Sequence, residues 1–309
     1  MLDVRRLRVL REVALRGSIA GAAEALRFTP SAVSQQVAKL EREAGVPLVE
    51  RGPRSVSLTP AGWRLVEHAE AILDRLAQAE TELRELAAEP PVLRLGAITT
   101  AAVGIVPDAL VRFGAVRPDV EVTVAEADPL ASLSRLSTRE IDLAIVFEYD
   151  FVPLPADARV VYDVLLEEPL RVVLPASHPL AKRRAVRLAD LANETWIQST
   201  PRSSCHPFTE RACRAAGFEP RIRFQFDDYA AMQNLVASGA GVAFAPDLGL
   251  TRLSPGVAAR PIAFGPKRRV LAAYRDGEGG LFGIADMLAA LREAVAAREP
   301  LFPAAAGAS

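Results

Sequence analysis

A repeat of apolar residues between positions 65 and 86 constrains this chain more than any other feature of its sequence. The repeat alternates spacings of four and three residues and consists of Leu65, Ala69, Ile72, Leu76, Ala79, Leu83 and Leu86. Such spacing places these residues on one stripe of an α-helix, wide enough for one partner helix. Thr59 and Pro60 supply a cap and a first-turn proline, so we expect a helix from there to about Ala88. This helix would be roughly 40 Å long, and Pro90 and Pro91 would end it.

The residues before this helix carry the signals of three short helices followed by a β-hairpin. Thr29 and Pro30 are a typical cap and first residue for the third helix, and Gly45 is a typical end for it. Short segments on either side of Gly52 and Pro53 then predict two strands of a hairpin. Two short helices joined by a tight turn and followed by a hairpin are the elements of a winged helix-turn-helix.

The third predicted helix has an unusual surface for an exposed helix. Val33, Val37 and Leu40 form an apolar stripe that should face a core. The opposite face of its first two turns carries only short or uncharged side chains, namely Ser31, Ser34, Gln35 and Ala38. Short side chains let a helix approach the DNA major groove, where Ser and Gln can hydrogen-bond base edges and Gln pairs best with adenine.

The distribution of charge supports this interpretation, although the formal net charge is only −1. Residues 1–64 contain 11 Lys and Arg against 6 Asp and Glu, an excess of 5 positive charges. Residues 65–89 contain 2 against 7, an excess of 5 negative charges. A basic head before an acidic helix is typical of a chain that binds a polyanion with its N-terminal part. We expect Lys39, Arg51 and Arg54 to contact phosphates or the minor groove.

From residue 92 onward the pattern changes to strands that alternate with helices. The candidate strands are 92–97, 120–125, 141–147, 170–174, 195–198, 221–226, 242–245 and 270–274. The candidate helices are 106–116, 130–138, 208–216, 229–238 and 281–297. This alternation predicts an α/β fold with a mostly parallel sheet. Because about 200 residues exceed one modest sheet, we expect two lobes with a cleft between them.

Polar residues follow several of these strands, where ligands of α/β folds bind. Thr99 and Thr100 lie between the first strand and a helix, so their hydroxyl and N–H groups could hold an anionic or carbonyl group. The second lobe offers Gln198, Ser199, Thr200 and Ser203, and the acids at probable strand ends are Glu126, Asp128, Glu148, Asp227 and Asp247. Hydroxyls favour a carboxylate ligand and acids favour an amine, whereas an amino-acid-like ligand would use both. The structural alternative is that these residues are helix caps and solvated turns.

Cys205 and Cys213 do not make a disulfide framework. On one helix their separation of eight residues would place them about 12 Å apart, beyond disulfide reach without local unfolding. Buried thiols are the simpler interpretation, whereas Arg202 or Arg214 beside a thiol would lower its pKa and permit redox sensing. Apart from the adjacent Cys205 and His206, no histidine shares metal-ligand spacing with a cysteine, so we predict no metal site.

Residues 22–62 read AAEALRFTPSAVSQQVAKLEREAGVPLVERGPRSVSLTPAG. This run resembles the DNA-binding half of LysR-type transcriptional regulators, whose pattern is A-A-x-x-L, then T/S-x-x-A-V-S-x-Q-I/V-x-x-L-E, then L-G-x-x-L-F-x-R-x-x-R-x-x-x-L-T-x-A-G. Further matching segments are REIDLAIV at 139–146, HPLA at 178–181 and VASGAGVAFAPD at 236–247. The resemblance therefore covers nearly the whole chain. Val49 stands where an aromatic residue is usual and Ala44 where Leu is usual, departures that bear on local packing.

The resemblance implies roles for particular residues. The base-reading positions are Pro30, Ser31, Ser34 and Gln35, with Thr29 and Gln36 near the DNA backbone and Arg51 and Arg54 in the wing. It also implies a homodimer through the linker helices, commonly a dimer of dimers. The two lobes would resemble periplasmic binding proteins and hold a small effector in their cleft. One branch of the family senses peroxide with two cysteines in this region, which keeps Cys205 and Cys213 as an alternative.

We therefore predict an all-α winged helix-turn-helix, a long linker helix and a two-lobed, periplasmic-binding-protein-like α/β effector domain. The predicted limits are 1–58, 59–89 and 90–300, with lobe I at about 92–164 and 268–300 and lobe II at about 165–267. The chain would be a cytoplasmic, sequence-specific DNA-binding regulator controlled by a small molecule, without enzymatic activity, cofactor or membrane span. The rival is a solute-binding protein or enzyme with an N-terminal dimerisation segment. An N-terminus interrupted by arginines lacks the core of a signal peptide, and no nucleophile–base constellation is evident, so both rivals are disfavoured.

Overall fold

The structure is a computed structural model that describes residues 2–51, 56–86, 91–299 and 302, without the side chains of Arg51 and of residues 74, 77, 78 and 80–86. The chain forms two compact units, Met1–Glu89 and Pro90–Ser309. The predicted wing tip with Arg54, and the predicted end of the long helix at Ala88, lie outside the described residues.

The first unit begins with three helices, α1 (Val4–Arg16), α2 (Ile19–Leu26) and α3 (Pro30–Ala44). An antiparallel hairpin of β1 (Val49–Arg51) and β2 (Val56–Leu58) follows, and then the long helix α4 (Pro60–Leu86). This order confirms the predicted winged helix-turn-helix followed by a long helix.

One hydrophobic core holds the first unit together. The stripe of α3 that was expected to face it is fully buried, since Val33, Val37 and Leu40 are each 0% exposed. Val66 and Ala69 of α4 belong to the same core cluster. The long helix therefore begins as part of the winged helix-turn-helix, which we call the head. The first turns of α4 are held by the same apolar burial that holds α3.

A close backbone contact fixes the start of α4 to the chain just before the hairpin. The Thr59 hydroxyl donates to the Pro47 carbonyl oxygen at 2.8 Å and accepts from the Gly62 N–H at 3.0 Å. The Thr59 N–H also donates to the Leu48 carbonyl oxygen at 3.0 Å. A Cβ atom on Gly62 would collide with that same oxygen. Glycine is therefore required here, because the backbones approach too closely for any side chain.

Beyond its first turns, the apolar stripe of α4 is open to solvent in a single chain. Ala69 is buried against the head, whereas Ile72 is 43% and Leu76 is 45% exposed. The side chains of Leu83 and Leu86 lie outside the description. Branched apolar side chains left exposed at heptad spacing are typical of a coiled-coil seam without its partner.

The second unit is built on a sheet of nine described strands. The strands are β3 (Val92–Ala97), β4 (Glu121–Glu126), β5 (Leu143–Tyr149), β6 (Val160–Pro175), β7 (Thr195–Gln198), β8 (Arg221–Gln225), β9 (Val242–Pro246), β10 (Val257–Pro261) and β11 (Lys267–Arg275). The helices are α5 (Thr99–Gly104), α6 (Val106–Val116), α7 (Pro129–Ser137), α8 (His206–Ala215), α9 (Tyr229–Ala237) and α10 (Ile284–Ala297). Short 3-10 helices lie at Pro179–Lys182, Leu188–Leu191 and Asp247–Gly249.

The strand order is β4-β3-β5-β11-β6-β9-β7-β8, with β10 beside β6. β11 and the first half of β6 complete the lobe of β3, β4 and β5, whereas the second half of β6 pairs with β9 and β10 in the other lobe. The predicted mostly parallel sheet is wrong, because β6 and β11 run antiparallel to their neighbours. Parallel pairing holds for β3 with β4 and β5, and for β7 with β8 and β9.

Candidate nucleic-acid interface and effector cleft

Helix α3 exposes a row of polar side chains on the side opposite its buried stripe. Ser31, Gln35 and Lys39 are exposed and follow each other at intervals of four residues, so they line one face of the helix. Ser34 and Gln36 are half-buried beside this row. The row thus offers short or uncharged hydrogen-bonding groups at its N-terminal end and a cation two turns further on.

Local hydrogen bonds set the start of this helix. Thr29 is the N-cap, its hydroxyl accepts from the Ala32 N–H at 3.2 Å, and Pro30 occupies the first turn. Arg27, which ends α2, has a φ of 55°, and the following Phe28 N–H donates to the Ala23 carbonyl oxygen at 2.9 Å. The left-handed residue makes the turn tight. Thr29 and Pro30 are both exposed at the tip that the turn presents.

Glu41 joins α3 to the hairpin, a role that sequence reasoning missed. Its Oε1 accepts from the Leu48 N–H at 2.9 Å and from the Val49 N–H at 3.2 Å. The start of β1 is thereby fixed relative to α3, because Val49 is its first residue. The Arg51 side chain and all of Arg54 lie outside the described residues, so the contacts expected of them stay predictions.

The second unit contains a cavity of about 260 Å³. Its lining includes eight of the eleven polar residues that the sequence analysis singled out, namely Thr99, Thr100, Glu126, Asp128, Gln198, Ser199, Ser203 and Asp227. Thr200 does not line it but donates to Asp227 from its N–H at 2.9 Å and from its hydroxyl at 2.6 Å. Residues from both lobes therefore meet around one space.

Acidic side chains of this region also hold the fold together. The Thr99 hydroxyl donates to Glu126 Oε1 at 2.7 Å. Asp128 caps α7 through the Leu130 N–H at 3.2 Å and accepts from the Ser204 N–H at 2.8 Å and from the Ser204 hydroxyl. Because Asp128 and Ser204 belong to different lobes, this carboxylate ties the lobes together.

The other two acids singled out at strand ends have structural partners away from the cavity lining. Asp247 is buried and paired with Arg171, whose NH2 donates to Oδ2 at 3.0 Å. Glu148 accepts from the Leu154 N–H at 3.1 Å and pairs with Arg269 at 2.7 Å. Neither residue lines the cavity, and neither is the solvated turn of the structural alternative, because both are ion-paired and largely buried.

Sequence reasoning missed the aromatic wall of the cavity. Phe147, Tyr149, Phe208 and Phe244 line it as a continuous series, with successive ring centroids 5.2, 4.3 and 5.2 Å apart. These rings come from β5, α8 and β9, which are far apart in the sequence. Alternating apolar residues in strands give the same signal whether they face a core or a cleft.

A buried arginine lies at the point where β6 and β11 pass between the lobes. Arg268 is 1% exposed, its Nε donates to Glu168 Oε1 at 2.8 Å and its NH1 donates to the Thr100 hydroxyl at 3.2 Å. Glu168 Oε2 also accepts from the Leu248 N–H at 2.7 Å. Burial is the largest single influence and works to lower the pKa of Arg268, but Glu168, Tyr149 and Tyr229 together outweigh it and the pKa is raised. The guanidinium therefore stays charged inside the protein.

The two cysteines are poor thiolate nucleophiles in this structure. Cys205 is the N-cap of α8 and lies 3.4 Å from the Tyr149 hydroxyl, and Cys213 is buried within the same helix. Burial raises the pKa of Cys205 and raises that of Cys213 to about 12. A thiol must ionise to react, so neither is activated.

The described residues show neither a metal-binding cluster nor a membrane-spanning helix. Within them, no group of three or more His, Cys, Asp and Glu residues could hold a metal ion. No helix in the same part of the chain is long and apolar enough to cross a bilayer.

Comparisons with known proteins place both units in one family. Residues 4–63 match the model of the bacterial regulatory helix-turn-helix protein, lysR family, and residues 87–296 match the LysR substrate binding domain. The transcriptional dual regulator GltC of Bacillus subtilis (strain 168) is 28% identical over 273 residues, which cover 87% of this chain and 89% of GltC.

Two further likenesses concern regulators whose names refer to peroxide or OxyR. The hydrogen peroxide-inducible genes activator of Dickeya chrysanthemi is 28% identical over 286 residues, covering 89% of this chain and 90% of that protein. A solved structure of a mutant of Corynebacterium glutamicum OxyR has a TM-score of 0.58 at 26% identity and covers 96% of this chain and 93% of that one. With both of its units matched, the chain belongs to the LysR family and is a DNA-binding transcriptional regulator that responds to a small-molecule effector.

Proposed function

We propose that α3 reads operator DNA in the major groove through Pro30, Ser31, Ser34 and Gln35. The observation that carries this proposal is the exposed row of Ser31, Gln35 and Lys39 on a helix whose opposite stripe is fully buried. Because the exposed side chains at the N-terminal end are short, bases can come close to the helix. Gln35 is the residue best suited to choose a base, since a Gln amide can bond an adenine edge at two points.

The remaining candidate residues of the head position it on the DNA backbone. Thr29 and Gln36 flank the base-reading side chains, and the Thr29 hydroxyl already serves as the helix cap. Lys39, together with Arg51 and Arg54 of the wing, supplies positive charge for phosphates. Such contacts give affinity and salt dependence but carry no sequence information.

Selection from random duplex DNA separates the two kinds of role. Gln35→Ala is expected to change which sequences are selected, at a cost of about 1–3 kcal/mol on the preferred site. Lys39→Ala should weaken binding to every sequence and reduce the slope of log affinity against log salt by about 0.9. Lys182→Ala removes an exposed cation of the second unit and is the matched control. We expect it to change neither the selected sequences nor the affinity and its salt dependence. Equal loss on all sequences for Gln35→Ala and Lys39→Ala would contradict the assigned roles.

Dimerisation is proposed to occur through α4. The exposed Ile72 and Leu76 continue a stripe whose earlier member, Ala69, is buried against the head. A second α4 would cover these side chains and bring two heads into one particle. A dimer of heads binds two half-sites, so its operator is expected to contain an inverted repeat.

The cleft of the second unit is the proposed effector site, and its lobes are the proposed switch. A ligand that binds between the lobes shifts the equilibrium toward the closed arrangement. The size of the shift equals the difference between its binding free energies for the closed and the open arrangement. The buried ion pair of Arg268 and Glu168 lies where β11 and β6 pass from one lobe to the other. A change in the angle between the lobes would therefore alter its surroundings. We propose that the chain acts in the cytoplasm, beside the chromosome, and has no catalytic role.

The alternative of a redox sensor finds no support in the thiols, whose pKa values are both raised. Cys213 lies eight residues beyond the cap of α8, which is about 12 Å along a helix and too far for a disulfide. A disulfide between these two thiols would need α8 to unfold.

A further inference from the structure

The interior of the cleft offers hydrogen-bond donors without a net charge. Thr100, Tyr149, Tyr229 and Arg268 all line it. Burial raises the pKa of both tyrosines, so their hydroxyls keep their protons. The charge of Arg268 is matched by Glu168, with which it forms a buried ion pair. A carboxylate entering this region would find several donors and would meet no unpaired negative group among these lining residues.

The rim of the cleft has the opposite character. Four carboxylates line it, those of Glu126, Asp128, Asp227 and Asp228, and one guanidinium, that of Arg202. Within the described lining the rim therefore carries three more negative than positive charges. Glu126 ends β4 in one lobe, whereas Asp228 caps α9 in the other and uses one oxygen, Oδ1, for the Ala231 N–H at 2.7 Å. Carboxylates on opposite lobes repel each other unless a cation lies between them.

A buried amide on the cavity wall lacks a partner. Gln198 is 5% exposed, its Nε2 lies 3.3 Å from His206 Nδ1, and its Oε1 has no hydrogen-bond partner among the described residues. Only one end of the amide meets His206, so turning the amide over would leave the other end unpaired. A buried polar group without a partner is costly, and a polar ligand would supply one.

The cavity also limits the size and the body of its ligand. A volume of about 260 Å³ is slightly below the usual range of ligand pockets, which begins at roughly 300 Å³. The aromatic series of Phe147, Tyr149, Phe208 and Phe244 forms one wall, and Met232 and Ile197 extend the apolar surface. Such a space suits a small molecule with a compact apolar or aromatic body.

We propose that the effector is a zwitterionic amino acid with an apolar or aromatic side chain. Its carboxylate would lie toward Arg268, Tyr149 and Tyr229, and its ammonium group toward Glu126 and Asp228. The inference rests on the proposed function, in which this cleft is the effector site. An ammonium group between carboxylates of opposite lobes removes their repulsion, so binding would also favour closure.

Titration calorimetry on the full chain with two matched sets of probes tests the proposal. One set is phenylalanine, hydrocinnamate and phenethylamine, and the other is leucine, isocaproate and isoamylamine. In at least one set the amino acid should bind at least about tenfold tighter than either truncated analogue, the cost of one lost charge-assisted hydrogen bond. If hydrocinnamate or isocaproate binds as tightly as its amino acid, the role of the ammonium group is refuted. Equal binding of the amines refutes the role of the carboxylate, and binding of none of the six overturns the ligand class.

Two variants and one control locate the ammonium end. Glu126→Gln and Asp228→Asn keep an acceptor oxygen for Thr99 and for the Ala231 N–H but lose the negative charge. Each variant should bind the amino acid and the amine about tenfold more weakly and should bind the carboxylate analogue with unchanged affinity. Glu121→Gln removes an exposed charge at the other end of β4, away from the cavity lining, and should change nothing. If Glu121→Gln weakened binding as much as the two variants, the loss would reflect the overall charge of the protein. The assignment of Glu126 and Asp228 to the ammonium group would then be refuted.

A gel shift of the ligand-free protein on selected operator DNA separates this proposal from the proposed function. Specific retention together with no binding of any probe would overturn the amino-acid class alone. Loss of specific retention would instead overturn the role assigned to α3.

Discussion

Replacing both Ile72 and Leu76 by alanine is expected to weaken self-association of the chain about a thousandfold. In a single chain these side chains are 43% and 45% exposed. Burying a whole Leu or Ile side chain contributes about 1.5–3 kcal/mol, so the part still open to solvent is worth roughly 1 kcal/mol per side chain. Two such side chains on each of two helices give about 4 kcal/mol. That energy is a factor of roughly a thousand in the dimer dissociation constant.

Sedimentation velocity over a range of protein concentrations measures this constant directly. Alanine is the best helix former, so the substitutions should leave α4 helical, which circular dichroism can check. The control is Glu67→Ala with Glu70→Ala, a pair on α4 that lies off the apolar stripe. An unchanged dissociation constant in the Ile72 and Leu76 variant, or an equal loss in the control, would show that α4 does not form the interface.

Two further predictions concern backbone packing and the thiols. Gly62→Ala should lower the free energy of unfolding by about 3 kcal/mol in chemical denaturation, because the new Cβ would collide with the Leu48 carbonyl oxygen. Gly114→Ala, in an open position of α6, should instead raise the free energy of unfolding by about 0.5–1 kcal/mol. If both substitutions changed this free energy in the same direction, the packing argument would be refuted. Alkylation of Cys205 and Cys213 by iodoacetamide should be slow at pH 8, because burial raises both pKa values, that of Cys213 to about 12. Since the folded pKa of Cys213 lies above the ordinary value of 9.0, this thiol should add no pH dependence to stability below pH 9 and should favour unfolding as the pH rises from 9 to 12. Rapid alkylation at pH 8 would refute the assigned burial.

The head could be predicted almost completely, because its signals are local. A cap such as Thr29, a first-turn proline such as Pro30 and an ending glycine such as Gly45 act within one turn of helix. The buried stripe of Val33, Val37 and Leu40 followed from helical periodicity alone. By contrast, the contact of Glu41 with the start of β1 depends on how two elements meet in space, and no spacing in the sequence indicates it.

The second unit was harder to predict, because two of its strands are long-range connections. β6 runs from Val160 to Pro175 and changes partners along its length, but only residues 170–174 were predicted as a strand. In residues 160–169 the apolar residues form two runs of three that acids interrupt, which is shorter than the run of four to eight expected for a buried strand. Hydroxyls and acids at strand ends did point to the cavity region, because strands of one lobe end at the same edge. The aromatic wall could not be found this way, since its residues give the same signal as core residues. Arg268 stands between Lys267 and Arg269, and nothing in the sequence marks one of these three cations as buried.

The carbonyl oxygen of Leu48 occupies the space where a side chain of residue 62 would otherwise stand. Direct backbone contact therefore holds the base of α4 to the head, and we expect the two to move together. If two α4 helices pack against each other along their apolar stripes, a change in the angle between the helices turns both heads by the same amount. Successive major grooves on one side of the duplex recur about every 34 Å, so such a turn would carry the two reading helices out of phase with their grooves. Control of transcription would then need no change within either head.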